Sequence, residues 1–271
     1  MSAAVPPPPR AAHAPPTGGP PGISVVVIAH DEERHIRECL ASVLAQTIAA
    51  SEYEIILVAH NCRDRTAAIA REFGEVRVVP LDAPAGPVYA RIEGFAQASG
   101  AIVACIDGDC VAEPHWLADL VAPLRDPAIS AVGGVTIFHG NWFVWLGSYV
   151  VFYVANRWPG RLFARFVPKL RYPVFWGTSF ACRRADYRRV GGLEPALDLH
   201  RRFALAECAE DFYLSLKFWQ IGAIAFTRWP VAHATSKQRS AVASIVRVWR
   251  QQRGERCLLQ AVMRPRCVRR P

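Results

Sequence analysis

The chain has 271 residues, 52% of them hydrophobic, and a formal charge of +9, enough for one large domain or two small ones with a sizeable core. No run reaches the ~18 uncharged apolar residues of a membrane-spanning helix. The eight cysteines form no Cys-x-x-Cys pair, which argues against a zinc knuckle or ribbon; several lie in apolar runs and read as small buried side chains of a reducing compartment.

Met1–Gly22 is rich in Pro, Ala and Gly, lacks the apolar segment of a secretory signal, and is expected to be a disordered leader. Ile23–Ala29 is a β-branched run, expected as a buried first strand. It ends at His30-Asp31-Glu32-Glu33. Asp31 is expected to cap a helix whose positive end Glu32 and Glu33 favour. Ile36, Leu40, Val43 and Leu44 then recur at helical spacing. No Gly-x-Gly-x-x-Gly follows this strand, which disfavours a nicotinamide-binding domain. Glu54–Val58 is the second expected strand, and Asp64 caps a helix running to Phe73 with Gly74 as its stop. Val76–Val79 is a third strand, Ala83–Pro87 a loop, and Tyr89–Ala98 a helix ended by Ser99-Gly100.

Ala101–Cys110 carries the strongest local signal. An apolar run too short for a lone helix leads into Asp107-Gly108-Asp109. A buried parallel strand delivers its last side chains to the carboxyl edge of the sheet, where α/β proteins bind ligands. Two carboxylates one residue apart repel unless positive charge lies beside them, and a hard divalent ion carrying phosphates meets that need. A solvated Asp-Gly turn is the alternative. Pro114 is expected to open a further helix at its first position, with Trp116, Leu117, Leu120 and Val121 on one face. Ile129–Ile137 is another strand. Strands alternating with helices imply a mostly parallel α/β sheet flanked by helices.

Two segments stand apart. Trp142–Phe166 combines seven aromatic residues from Trp142 to Trp158 with Arg157, Arg161 and Arg165 at four-residue spacing, a basic helix face suited to a membrane interface or to packing on the domain. Lys237–Pro271 holds ten Lys or Arg against Glu255, the whole charge excess, and suggests anionic partners or a solubilising tail. The expected divisions are a leader over 1–22, a domain over 23–235 with an insertion at 141–170, and a basic helical tail over 236–271.

The ordered motifs resemble glycosyltransferase family 2, whose fold is GT-A. Val26–Glu33 resembles that family's opening strand and Asn-Glu-Glu turn; Leu57–Thr66 resembles its Ser-Thr-Asp-x-Thr turn, with Asp64 and Thr66 matching. Gly86–Gly94 resembles Gly-x-x-x-Ala-Arg-Asn-x-Gly, and Asp107-Gly108-Asp109 falls at the metal-binding Asp-x-Asp. Phe175–Arg184 with Val190–Leu193 resembles the acceptor-side segment, and Ala209-Glu210-Asp211 the Glu-Asp catalytic motif. Ala59 stands where the family often has a base-contacting aspartate, and Ile92 replaces the usual Asn. No Gln-x-x-Arg-Trp of processive synthases is present.

The resemblance implies an inverting transfer from a nucleoside-diphosphate sugar to an acceptor hydroxyl, a lipid-linked acceptor being one option. It implies Mg²⁺ or Mn²⁺ held by Asp109 and His233. Ala29, His30, Glu32, Asn61, Asp64, Arg91 and Asp107 would bind the donor, and Trp176, Gly177 and Thr178 would face the acceptor. Asp211 would act as base, with Glu210 beside it. Arg91 taken alone would be an exposed helix residue; Glu210 and Asp211 alone would merely start a helix. Lys237 and Arg239 would close as a lid. The expected location is cytoplasmic or peripheral at the inner membrane face, with no nucleic acid partner. The alternatives are a nucleotidyltransferase of similar fold and a non-catalytic module that binds polyanions or membranes.

Overall fold

The structure is a computed structural model, and it describes residues 21–139, 173–202, 210–235 and 262–263. The expected leader, the Trp142–Phe166 segment, the lid residues Lys237 and Arg239, and all but two residues of the tail lie outside the described residues.

The first half alternates as its sequence predicts: β1 (Ile23–Ala29), α1 (Ile36–Leu44), β2 (Tyr53–His60), α2 (Thr66–Arg71), β3 (Val76–Leu81), α3 (Pro87–Gln97) and β4 (Ile102–Asp107). Then come β5 (Cys110–Ala112), α4 (Trp116–Val121) and β6 (Ile129–His139). After residue 172 the chain forms β7 (Ser179–Arg183), α5 (Arg184–Arg189), α6 (Glu194–Arg202), α7 (Glu210–Trp219) and β8 (Ala223–Thr235). One eight-stranded sheet runs β3-β2-β1-β4-β7-β6-β8-β5. The first four strands are parallel; β7 runs against β4 and β6, and β5 runs against β8.

All seven residues of β1 are buried, because helices cover both faces of the sheet. Val25 and Val27 point into one core with α1 and α4, while Val26 and Ile28 point into the other with α3 and α7. Val262 and Met263 pack against the second core, and the carbonyl of Val262 accepts a hydrogen bond from Gln220. The described cysteines are free thiols; Cys39, Cys105, Cys110 and Cys182 are buried, as their apolar surroundings predict. Among the described residues, no helix is long and apolar enough to cross a membrane.

Three local expectations are corrected. Asp31 does not cap a helix: α1 begins at Ile36, and Asp31 sits at φ 53° with its carboxylate turned to the β2 turn. Pro114 is not the first helical residue, since α4 starts at Trp116. Helix α2 stops at Arg71, short of Phe73.

Candidate functional site

The parallel strands bring their last residues out together. Ala29 pairs with Ala59 and Ile28 with Asp107, so Ala29-His30, His60-Asn61 and Asp107 emerge side by side at one sheet edge. Gly108 makes the tight exit from β4: its N–H donates to Ile28 O at 2.8 Å, and a Cβ there would lie 3.0 Å from that of Ala29. Antiparallel β7 brings its amino end to the same edge, where Thr178 O accepts from Asp107 N at 3.3 Å. The triplet Trp176, Gly177 and Thr178, expected on the acceptor side, therefore lies beside Asp107.

Two turns clasp each other at the ends of β1 and β2. Asp31 Oδ1 accepts from the N–H of Arg63 at 2.7 Å, and Asp64 Oδ2 from that of Glu33 at 2.9 Å. Asp64 Oδ1 also takes the N–H and hydroxyl of Thr66, and Thr66 Oγ1 in turn accepts from Glu32 N at 2.7 Å. Burial opposes ionisation of Asp64, but these hydrogen bonds outweigh it and hold its carboxyl below the usual value. Asn61, at φ 51°, holds both polar groups of the Ala83 backbone with its amide. His30 Nδ1 lies 2.8 Å from His60 O, and the His30, His60 and Tyr89 rings follow one another at 6.2 and 6.4 Å. Glu32 is buried and reaches His35 at 3.1 Å. Asp31, Cys62 and Asp64 are the set of three metal-ligating side chains that the described residues bring within 4.8 Å. Their oxygens already serve backbone donors, and burial pushes the Cys62 thiol up, so it stays protonated.

The other concentration of acid surrounds Arg91. This residue is 3% exposed, against the expectation of a surface position. Its place on α3 explains why: Val88, Arg91 and Phe95 share the face that packs on the sheet. Nη2 meets Asp107 Oδ1 at 2.9 Å and Nη1 meets Glu210 Oε1 at 2.5 Å. Gly177 leaves room for the guanidinium, since a Cβ there would stand 2.6 Å from Nη2. Burial raises the Asp107 carboxyl; the Arg91 charge opposes this, and Asp211 adds to it. Burial likewise raises Glu210, offset by Arg91 and reinforced by Asp211. The neighbouring carboxylates keep Arg91 charged despite its burial. Asp211 is half-buried in the first turn of α7, where its Oδ1 accepts from Phe212 N at 2.7 Å.

The residues expected to hold a metal lie on a different ladder, the pairing of β5 with β8. In the β5–β8 pair Val111 stands opposite His233, so side-chain alternation puts Asp109, Val111 and Glu113 on the face that His233 shares. Glu113 Oε1 lies 2.6 Å from His233 Nε2. A carboxylate oxygen and an imidazole nitrogen are donors of the kind Mg²⁺ or Mn²⁺ accepts. Sequence reasoning missed Glu113, whose partner is 120 residues away. The signal it missed for Arg91 was a charge on the apolar stripe of α3.

The chain matches the family model described as glycosyl transferase family 2 over residues 24–191. It is 35% identical over 116 residues to glycosyltransferase AglE of Haloferax volcanii, covering 41% of this chain and 38% of that protein. It is 34% identical over 121 residues to the glucosyl-dolichyl phosphate glucuronosyltransferase of the same organism, covering 42% and 38%. The chain thus spans under half the length of these curated relatives. The fold is similar to that of mannosyltransferase PcManGT from Pyrobaculum calidifontis in complex with GDP-Man and Mn²⁺, with a TM-score of 0.64 at 20% identity, covering 94% of this chain and 68% of that one. It is also similar to S. aureus TarS 1-349 in complex with UDP-GlcNAc, with a TM-score of 0.56 at 18% identity, covering 82% and 60%.

Proposed function

The chain belongs to glycosyl transferase family 2, and on that premise we propose that it moves a sugar from a nucleoside-diphosphate sugar to an acceptor hydroxyl, with inversion at the anomeric carbon. The observation that carries this reading is the meeting of Asp107, Glu210 and Asp211 around one buried guanidinium at the carboxyl edge of the sheet. In this reading the donor reaches that edge from the β1 and β2 turns and the acceptor from the Trp176–Thr178 side.

Each residue has a role in the proposal. Ala29, His30 and Asn61 line the nucleoside end, and Glu32 and Asp64 hold the turns that shape it. Asp107 would face the ribose or a water on the cation, and Asp109 with His233 would hold that divalent cation. When bound, that ion neutralises charge on the departing diphosphate. Asp211 accepts the proton of the acceptor hydroxyl as it attacks. One base and one direct displacement give inversion. PcManGT and TarS are described with sugar nucleotides, which supports the donor class. The name of the Haloferax glucuronosyltransferase contains a dolichyl phosphate, which supports a lipid-linked acceptor. The aromatic and basic Trp142–Phe166 segment and the basic tail would then hold the enzyme at the cytoplasmic face of an anionic membrane.

A panel of nucleoside-diphosphate sugars, assayed with Mg²⁺ or Mn²⁺, tests the proposal. The expected result is metal-dependent release of nucleoside diphosphate that an acceptor accelerates, lost in Asp109→Ala. Pyrophosphate release from nucleoside triphosphates would point to a nucleotidyltransferase instead. Salt-sensitive binding of any polyanion without turnover would point to a binding module.

A further inference from the structure

We propose that Arg91 is a positioning residue that fixes the donor edge and the acceptor base in one register, through Asp107 on one side and Glu210 on the other. The inference rests on the transferase reading above. Arg91 lies on α3, Asp107 at the end of β4 and Glu210 at the start of α7, in separations of 16 and 119 residues. The three elements meet at this charged cluster. The fork geometry of a guanidinium lets its two terminal nitrogens hold two carboxylates at once, a task a lysine ammonium does poorly. Arg91 Nε has no hydrogen-bond partner among the described residues, and the contacts to Asp107 and Glu210 are made by the two Nη atoms.

The surroundings leave the guanidinium little freedom. Gly177 of the acceptor-side turn abuts it, and Thr178 of the same turn accepts from the Asp107 N–H. A shift of Arg91 therefore moves three things together: the Asp107 carboxylate, the Trp176–Thr178 turn, and the first turn of α7. Asp211 is the next residue after Glu210, so the aim of the proposed base depends on the Arg91–Glu210 contact. Arg91 is buried behind these carboxylates and acts through them. A residue that binds phosphate directly would instead show its loss in donor affinity.

The test is steady-state kinetics on Arg91→Lys, Glu210→Gln and the double variant, with a donor and acceptor found in the panel. The expected result for each single variant is kcat lowered by about tenfold or more; donor KM changes by less than about threefold in Glu210→Gln, and in Arg91→Lys it rises by less than kcat falls. The double variant is expected to lose no more than the worse single one, because both changes cut one contact. A raised donor KM with kcat kept in Arg91→Lys would make Arg91 a donor ligand and overturn the proposal. Additive losses in the double variant would also overturn it. If Arg91→Lys fails to fold, Glu210→Gln decides: transfer at the wild-type rate refutes the link. Failure of the transferase reading is distinguishable, because the wild type would then turn over no donor in the panel.

Discussion

Carboxylates crowd two places on the strand edge, and different partners settle them. At the β1 and β2 turns, Asp31 and Asp64 rest on N–H groups of each other's loops, 31 to 33 residues away. Around Arg91, Asp107 and Glu210 share a single guanidinium whose farther partner is 119 residues distant. Backbone donors survive the loss of any one acid, so the clasp degrades locally. Among the described residues the Arg91 cluster has one cation for several acids in a buried setting, so losing that cation leaves each of them unbalanced. The first arrangement suits a scaffold, and the second suits a junction between half-sites.

Arg91→Met sharpens the comparison most. Removing one partner of a buried ion pair strands the other charges, and the expected cost is about 3–5 kcal/mol of stability by denaturant unfolding. A cost no larger than that of a surface substitution would show that Asp107 and Glu210 find other partners.

Next in size is a pH effect. Burial raises the Glu210 carboxyl from 4.5 to about 7, against the opposing charge of Arg91. Between those values the folded chain holds a proton that the unfolded chain has released. This contribution to stability is complete below pH 4.5 and is lost as pH rises through about 7. Unfolding midpoints across this window should fall with pH in the wild type and fall less in Glu210→Gln. Parallel slopes would remove Glu210 as the cause. The clasp should show the opposite sign, since Asp64 is held below its usual value and its contribution fades only on strong acidification.

The smallest expected effect is in the clasp. Asp64→Ala removes a turn cap and should cost about 1 kcal/mol, with the β2 turn loosened in hydrogen exchange. A loss matching that of Arg91→Met would mean that the two acid clusters are not built on different terms.

The clasp and the junction also differ in how much of each the sequence reveals. β1 and β4 are legible because a strand buried on both faces reads as an unbroken apolar run, and Asp107 falls at the end of β4 as its pattern predicts. The β1 and β2 turns follow from their polar loops, although Asp31 serves the opposite turn and not its own helix. The Arg91–Glu210 contact is invisible locally, because no periodicity pairs residues across three elements. The antiparallel insertion of β7 between β4 and β6 is equally hidden, and with it the approach of Gly177 to Arg91. The β5–β8 register that brings Glu113 to His233 depends on a 13-residue strand broken by a bulge near Thr227. The bulk of Trp142–Phe166 is legible as aromatic and basic, but its role depends on surroundings that its own sequence does not encode.

In the proposed mechanism Asp211 is the base, held in place by the junction and separate from donor binding. Asp211→Asn keeps the shape and removes the proton acceptor. Transfer measured at saturating donor and acceptor should fall by roughly 10²–10⁴-fold, while calorimetric affinity for the nucleoside diphosphate with Mn²⁺ stays near that of the wild type. A fall of less than severalfold in transfer, with the fold intact, would contradict the assignment of Asp211 and the account built on it.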